Sequence, residues 1–130
     1  MRTLWLRRVR AALHRDRLGL IDNWLRHVQD VRDGNQAHLA GLLESQQVDR
    51  LCELNVVEQV SHVCETTIVQ DAWSRAQPLA VHGWIYGLRD GLQRDLHVTI
   101  DSEQLAQPVY RAAMAALSPA RVTRRSGEEP

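Results

Sequence analysis

The chain of 130 residues has no lysine and no phenylalanine, and only two cysteines, Cys52 and Cys64. Its basic side is therefore all arginine, which is given no functional weight: the choice reflects coding composition rather than a binding device. Sixteen basic against sixteen acidic residues leave a formal charge of zero, excluding whole-molecule attraction to nucleic acid or anionic lipid. No apolar run approaches the roughly 18 residues that cross a bilayer, and the Arg-studded start lacks the apolar stretch and small-residue cleavage site of a signal peptide. Two cysteines could close one disulfide at most and show no framework spacing, so free thiols in a cytoplasmic protein are expected. With four Trp, two Tyr and no Phe, the core must be mainly aliphatic.

What charge there is lies unevenly. Residues 1–17 hold six Arg and one Asp, the segment from Ser118 holds three Arg and two Glu, and the stretch between is acidic. The segment 118–130 has no apolar period and is expected to be a disordered tail. A basic N-terminal helix could meet phosphates, but no base-stacking series or nucleic-acid motif follows it, so no nucleic-acid partner is expected.

Trp5, Val9, Ala12 and Leu13 recur at helical spacing, and Ile21, Trp24, Leu25, Val28 and Val31 mark a second helix ending near Gly34-Asn35. Ala37 to Leu43 adds a turn or two. Between Ser45 and Cys64 the residues Val48, Leu51, Cys52, Leu54, Val56, Val57, Val60 and Val63 fill so much of the wheel that the helix is expected to be buried on two sides. Thr67 with Gln70 has capping-box spacing and opens a short helix that must stop before Pro78. Leu79 to Leu88 alternates as a strand, Asp90-Gly91 supplies a turn, and Leu92, Arg94, Leu96 and Val98 continue a hairpin. Asp101 with Gln104 offers another capping pair, and Pro108 suits the first turn of a last helix over Val109 to Leu117.

Four segments stand in one order: Leu18-Gly-Leu-Ile-Asp-Asn-Trp-Leu-Arg-His27, Leu51-Cys-Glu-Leu-Asn-Val-Val-Glu-Gln-Val60, Val69-Gln-Asp-Ala-Trp73 and Val81-His-Gly-Trp-Ile-Tyr-Gly-Leu-Arg-Asp-Gly-Leu92. Together they resemble the C-terminal half of the bacterial β-class carbonic anhydrases, over about Val9 to Leu117. The resemblance implies an α/β fold: an α-rich remnant of the β-carbonic anhydrase fold over residues 1–117, its small sheet a strand and hairpin covered by helices, with one strand edge open. It implies descent from enzymes that hydrate carbon dioxide reversibly on zinc, held by a Cys-x-Asp-Ser-Arg and a His-x-x-Cys motif. The first motif does not occur in this chain, and where the second would fall the sequence reads Thr3-Leu4-Trp5-Leu6-Arg7-Arg8.

No catalytic residue, metal ligand or zinc cofactor is therefore expected in this chain, which would be a shortened, inactive family member. His62 and Cys64 diverge by about 200° on a helix, and Cys52 and Cys64 lie about 18 Å apart along it, so they cannot share an ion within that helix. Tyr86 resembles a tyrosine that helps bind bicarbonate in some regulated members, and it is the one candidate binding residue. His82 is read as a hydrogen-bonded structural histidine, Asn55 as an architectural polar group with a partner, and Glu53 and Glu58 as salt links or solvated groups. Exposed apolar faces make a homo-oligomer, or pairing with a full-length carbonic anhydrase, the expected partnership.

Overall fold

A computed structural model describes residues 8–10, 12–14, 22–87 and 90–118. Residues 8–10 and 12–14 are helical and bury Val9 and Ala12. The expected roles of Trp5, Ile21 and Trp24, the substituted positions Thr3, Leu6 and Arg7, and the expected tail beyond Ser118 lie outside the described residues or side chains.

The first full helix, α1 (Asp22–Gly34), presents Leu25, Val28 and Val31 to the core at the spacing of one helical stripe. It stops where the sequence suggests, at Asn35, whose side-chain amide donates to the Val31 carbonyl at 2.8 Å. After the short α2 (Gln36–Leu39), Gly41 at φ +76° turns the chain in a region open to glycine, and α3 (Glu44–Glu65) begins. Its entry is half a capping box: Gln46 Oε1 accepts the Leu43 N–H at 3.0 Å, and leucine has no oxygen to reciprocate.

Helix α3 is the axis of the molecule. Val48, Leu51 and Leu54 pack on α1, Val9 and Ala12, while Val57, Val60 and Cys64 pack on the hairpin and the last helix, so the helix is indeed enclosed on more than one side. Val63 departs from the expected core set and is 42 % exposed, because its place on the wheel falls outside that stripe.

Helix α4 (Thr67–Ser74) follows directly, but the expected Thr67 and Gln70 cap does not form. Thr66 occupies the cap position and its hydroxyl donates back to the Val63 carbonyl, while Gln70 Nε2 donates to the Cys64 carbonyl at 2.7 Å. Both side chains thus satisfy the end of α3 rather than the start of α4. Trp73 Nε1 donates to the Leu79 carbonyl at 2.9 Å, fixing the entry to the sheet.

Strands β1 (Val81–Tyr86) and β2 (Gln93–Ile100) form an antiparallel hairpin. The alternation in β1 is as read: Gly83 faces inward, flanked by half-buried Val81 and Ile85, while His82, Trp84 and Tyr86 face outward. The register breaks where Gly83 pairs with Val98 but Trp84 with Asp95, leaving Leu96 and His97 as extra residues on β2, with His97 at φ +57°. Asp95 Oδ1 accepts the His97 N–H at 2.7 Å and steadies the bulge.

The last helix, α5 (Glu103–Ala116), starts well before Pro108, and Ser102 rather than Asp101 is its N-cap, with no side-chain cap bond. Pro108 is exposed, as is Gln104, so the carbonyl that proline leaves without a helical partner can be met by water. Met114 and Leu117 pack against both halves of the core, and His38 Nε2 bonds the Met114 carbonyl at 3.0 Å. The fold is α/β, helix-rich with a small two-stranded sheet.

Candidate functional site

Three outward residues of β1 carry what functional chemistry the hairpin has. His82 Nδ1 lies 2.9 Å from Thr99 Oγ1 on the paired strand, and its ring stacks on Trp84 at 5.5 Å between centroids. One ring nitrogen is thus engaged and the other is exposed, as suits a structural histidine; no serine or cysteine approaches it among the described contacts. Tyr86, the one residue singled out for binding, sits at the end of β1 opposite Gln93 and is 61 % exposed. The register places Arg94 opposite Ile85, on the other face of the sheet, where its guanidinium reaches Glu53 Oε1 at 3.8 Å. The strand therefore does not bring that arginine to the tyrosine.

The cysteines are separated as the helix geometry requires. Cys64 is buried among Val57, Val60, Val98 and Ile100, and Cys52 is half-buried against the other half of the core. Burial, with Glu65 beside it, pushes the Cys64 thiol above its ordinary value, which disfavours the thiolate that metals and electrophiles need. His62 is exposed and does not turn toward it. Among the described residues, no three His, Cys, Asp or Glu side chains converge.

The carboxylates of α3 are tied up in different ways. Glu53 is largely buried, and desolvation raises its carboxyl above the usual range although Arg50 at 3.9 Å and Arg94 at 3.8 Å pull the other way. Of the two expected roles, salt link or solvated group, Glu53 takes the first. Glu58 instead accepts the Tyr110 hydroxyl at 2.5 Å. Burial first, then this bond, push the Tyr110 phenol up to about 12. No sequence signal joins residues so far apart. Asn55 departs from expectation: its Oδ1 is buried with no hydrogen-bond partner. Inside a long helix every nearby N–H already serves the carbonyl one turn back, so none is left to donate.

A polar recess of about 470 Å³ lies between α1 and the N-terminal helical residues, with Arg32, Asp33, His14 and Gln47 among its walls. Arg32 is 4 % exposed and was not singled out from sequence, although its place on the buried stripe of α1 is the signal. Its Nη1 donates to the Ala12 and Leu13 carbonyls, and its Nε and Nη2 to Asp33 Oδ1 at 2.9 and 2.5 Å. At the rim, Glu44 pairs with Arg10 at 3.0 Å and faces His14 at 3.4 Å. Arg32 thus holds the N-terminal residues onto α1, and Glu44 holds them to the start of α3.

The carbonic anhydrase family model matches residues 7–93, more than half of the chain. The chain belongs to the β-carbonic anhydrase family. A carbonic anhydrase of Emericella nidulans is 36 % identical over 91 residues, covering 69 % of this chain and 40 % of that protein. The structure of a Coccomyxa β-carbonic anhydrase in complex with acetazolamide matches with a TM-score of 0.75 at 39 % identity, over 83 % of this chain and 50 % of that one. The chain thus spans half or less of the length of these relatives.

Proposed function

We propose that this chain, taken alone, is a catalytically silent member of the β-carbonic anhydrase family. The observation that carries the reading is its donor set. In the family, zinc acidifies a bound water so that hydroxide is available near neutral pH. The donors here do not fit such a centre: the sequence has Thr3 and Leu6 where a His and a Cys would be needed, and leucine offers no lone pair. Cys64 faces the core with its thiol held neutral, and Cys52 and His62 point elsewhere. Tyr86 keeps one hydroxyl for an anion such as bicarbonate, but Arg94 is turned to Glu53, so bicarbonate is not expected to bind tightly through this residue alone.

The test is stopped-flow hydration of carbon dioxide with and without added zinc, paired with elemental analysis of untagged protein. No rate above buffer and far less than one zinc per chain are expected. Zinc-dependent hydration by the purified chain, or stoichiometric zinc surviving dialysis against a weak chelator, would overturn the reading.

A second reading is favoured by one observation: Trp84, Tyr86 and Leu92 stand exposed together along the hairpin and its turn. Such a surface suits association, either with another copy or with a full-length carbonic anhydrase. Co-purification with a full-length carbonic anhydrase checks the latter, and its absence at micromolar concentrations would count against it. The two cysteines form no disulfide, which agrees with a reducing, cytoplasmic setting, and no helix among the described residues is long and apolar enough to cross a membrane.

A further inference from the structure

We propose that Glu53 is a proton-controlled latch for the hairpin: ionised, it draws in Arg94 and ties the first residues of β2 to α3, and protonated, it lets that tie go. This latch is independent of carbon dioxide chemistry and of any partner, and it uses a buried acid that the function proposed above leaves idle.

Three elements meet at this carboxyl. Glu53 lies on α3 with only 16 % of its side chain exposed, Arg94 reaches it from β2, and Arg50 stands one turn earlier on α3 and also holds the end of α5. Its two oxygens face different cations: Oε1 is 3.8 Å from Arg94 Nη2, and Oε2 is 3.9 Å from Arg50 Nε. A charge-assisted bond spans about 2.7–2.9 Å, so neither contact is yet a hydrogen bond. A carboxyl so little exposed and without a bonded donor is most easily held with its proton on, while both guanidiniums stand where they can close once the proton leaves.

The two cations are not equally free to close. Arg50 Nη1 donates to the Leu117 carbonyl, so its guanidinium is held between that carbonyl and Glu53 in either state. Arg94 is 61 % exposed, and an advance of about 1 Å brings it to bonding distance. Only Arg94 comes from another element, so only its bond changes how the hairpin sits on α3. Of the other groups around Glu53, Asp49 on α3 opposes ionisation, β1 carries no acid or arginine and turns His82 outward, and the end of α5 contributes the Leu117 carbonyl through Arg50. Ionising a desolvated carboxyl weakens the fold as a whole, yet once ionised Glu53 makes the departure of Arg94 harder. Global stability and the grip on β2 therefore move in opposite directions with pH. Burial raises the titration of Glu53 above its ordinary value of 4.5, so the latch opens in milder acid than an exposed glutamate would need.

Amide hydrogen exchange on the intact chain and on Glu53→Gln, compared at each pH, tests this, because the ratio of the two proteins cancels the pH dependence of exchange itself. The hydrogen-bonded amides of residues 93–95, and that of Gly87, which donates to the Leu92 carbonyl at 2.8 Å, should be protected more in the parent at about pH 8 and equally in the two proteins at about pH 4. The expected gain is about fivefold, the worth of a partly exposed ion pair. Amides of α1, which report global stability, should show no such gain. Adding Arg94→Gln to both proteins should abolish the difference. Arg50→Gln should move its onset to higher pH without removing it, since Arg50 favours the ionised form. Protection at the hairpin that falls as pH rises would mean that water reaching the carboxylate outweighs the pull on Arg94, and would overturn the proposal, as would a difference that survives Arg94→Gln. Should Glu53→Gln fail to fold, nuclear magnetic resonance of the parent decides: the Arg94 Nε–H signal should shift with the same midpoint as the Glu53 carboxyl carbon, and a signal unmoved across that midpoint would overturn the latch.

Discussion

Gly83 is the point at which the hairpin touches the central helix, and replacing it with alanine measures how tight that contact is. A methyl group placed there would lie 3.3 Å from each of Val56 Cγ1, Val60 Cγ2 and Val98 Cβ. Carbon atoms prefer about 3.5–4.0 Å, so each neighbour would have to give a few tenths of an ångström. Val60 and Val98 are buried and sit on regular elements, while half-buried Val56 has the most freedom to yield. Overfilling a packed core by a methyl costs about 1–3 kcal/mol, offset by about 0.4–1 kcal/mol from the smaller freedom of the unfolded chain. The net expectation is a loss of about 1 kcal/mol, or a melting temperature lower by about 3–5 °C. Circular dichroism melts and urea titrations read it. Val60→Ala removes one of the crowding methyls, so the double variant should lose about 0.5–1 kcal/mol less than the sum of the single changes. A Gly83→Ala chain as stable as its parent, or strict additivity with Val60→Ala, would refute the argument.

Other groups give checks of the same kind. Glu53 binds its proton more tightly in the folded chain than its ordinary value of 4.5, so the parent should lose stability as pH rises from about 4.5 through the raised value. Glu53→Gln should lack that decline, and urea midpoints that run parallel for the two proteins across this range would contradict it. Tyr110→Phe removes the hydroxyl donated to Glu58 and should cost about 1–2 kcal/mol at pH 8. Because the folded phenol titrates at about 12 and an unfolded one near 10, the parent should also weaken between pH 10 and 12 in a way the variant does not share. Equal alkaline losses would dispose of the buried-phenol account.

Where the sequence was legible, one strong period dominated. The stripes of α1 and α3 and the alternation of β1 are set by burial, and the described residues of each fall where the pattern placed them except Val63, which is exposed. The misplaced features are those decided by single side chains with two acceptable partners. Gln70 could cap α4 or reach the end of α3, and the nearby Cys64 carbonyl wins. Pro108 looked like a helix start because it lacks an N–H, but an exposed second turn tolerates that lack as well. The bulge in β2 is hidden because Leu92, Arg94, Leu96 and Val98 keep their alternation in sequence while the pairing slips. Arginine usually marks a surface, which conceals the buried guanidinium of Arg32. Of the candidate site, the positions of His82, Tyr86 and Glu53 could be read in advance, but not the Tyr110 and Glu58 pair, which only tertiary packing creates.

The residues that carry the family resemblance are mostly not chemical. In Leu51 to Val60, the side chains of Leu51, Leu54, Val57 and Val60 form the core stripe of α3, and in Val81 to Leu92 it is Gly83 that lets the hairpin lie against Val56 and Val60. These two segments therefore specify each other: a larger residue at 83 or a polar one at 60 would separate the layers. Such packing constrains the identity of a helix and a strand whether or not a metal is bound elsewhere. That is why the fold can be recognised without reference to a metal site, and why family membership and activity require separate tests.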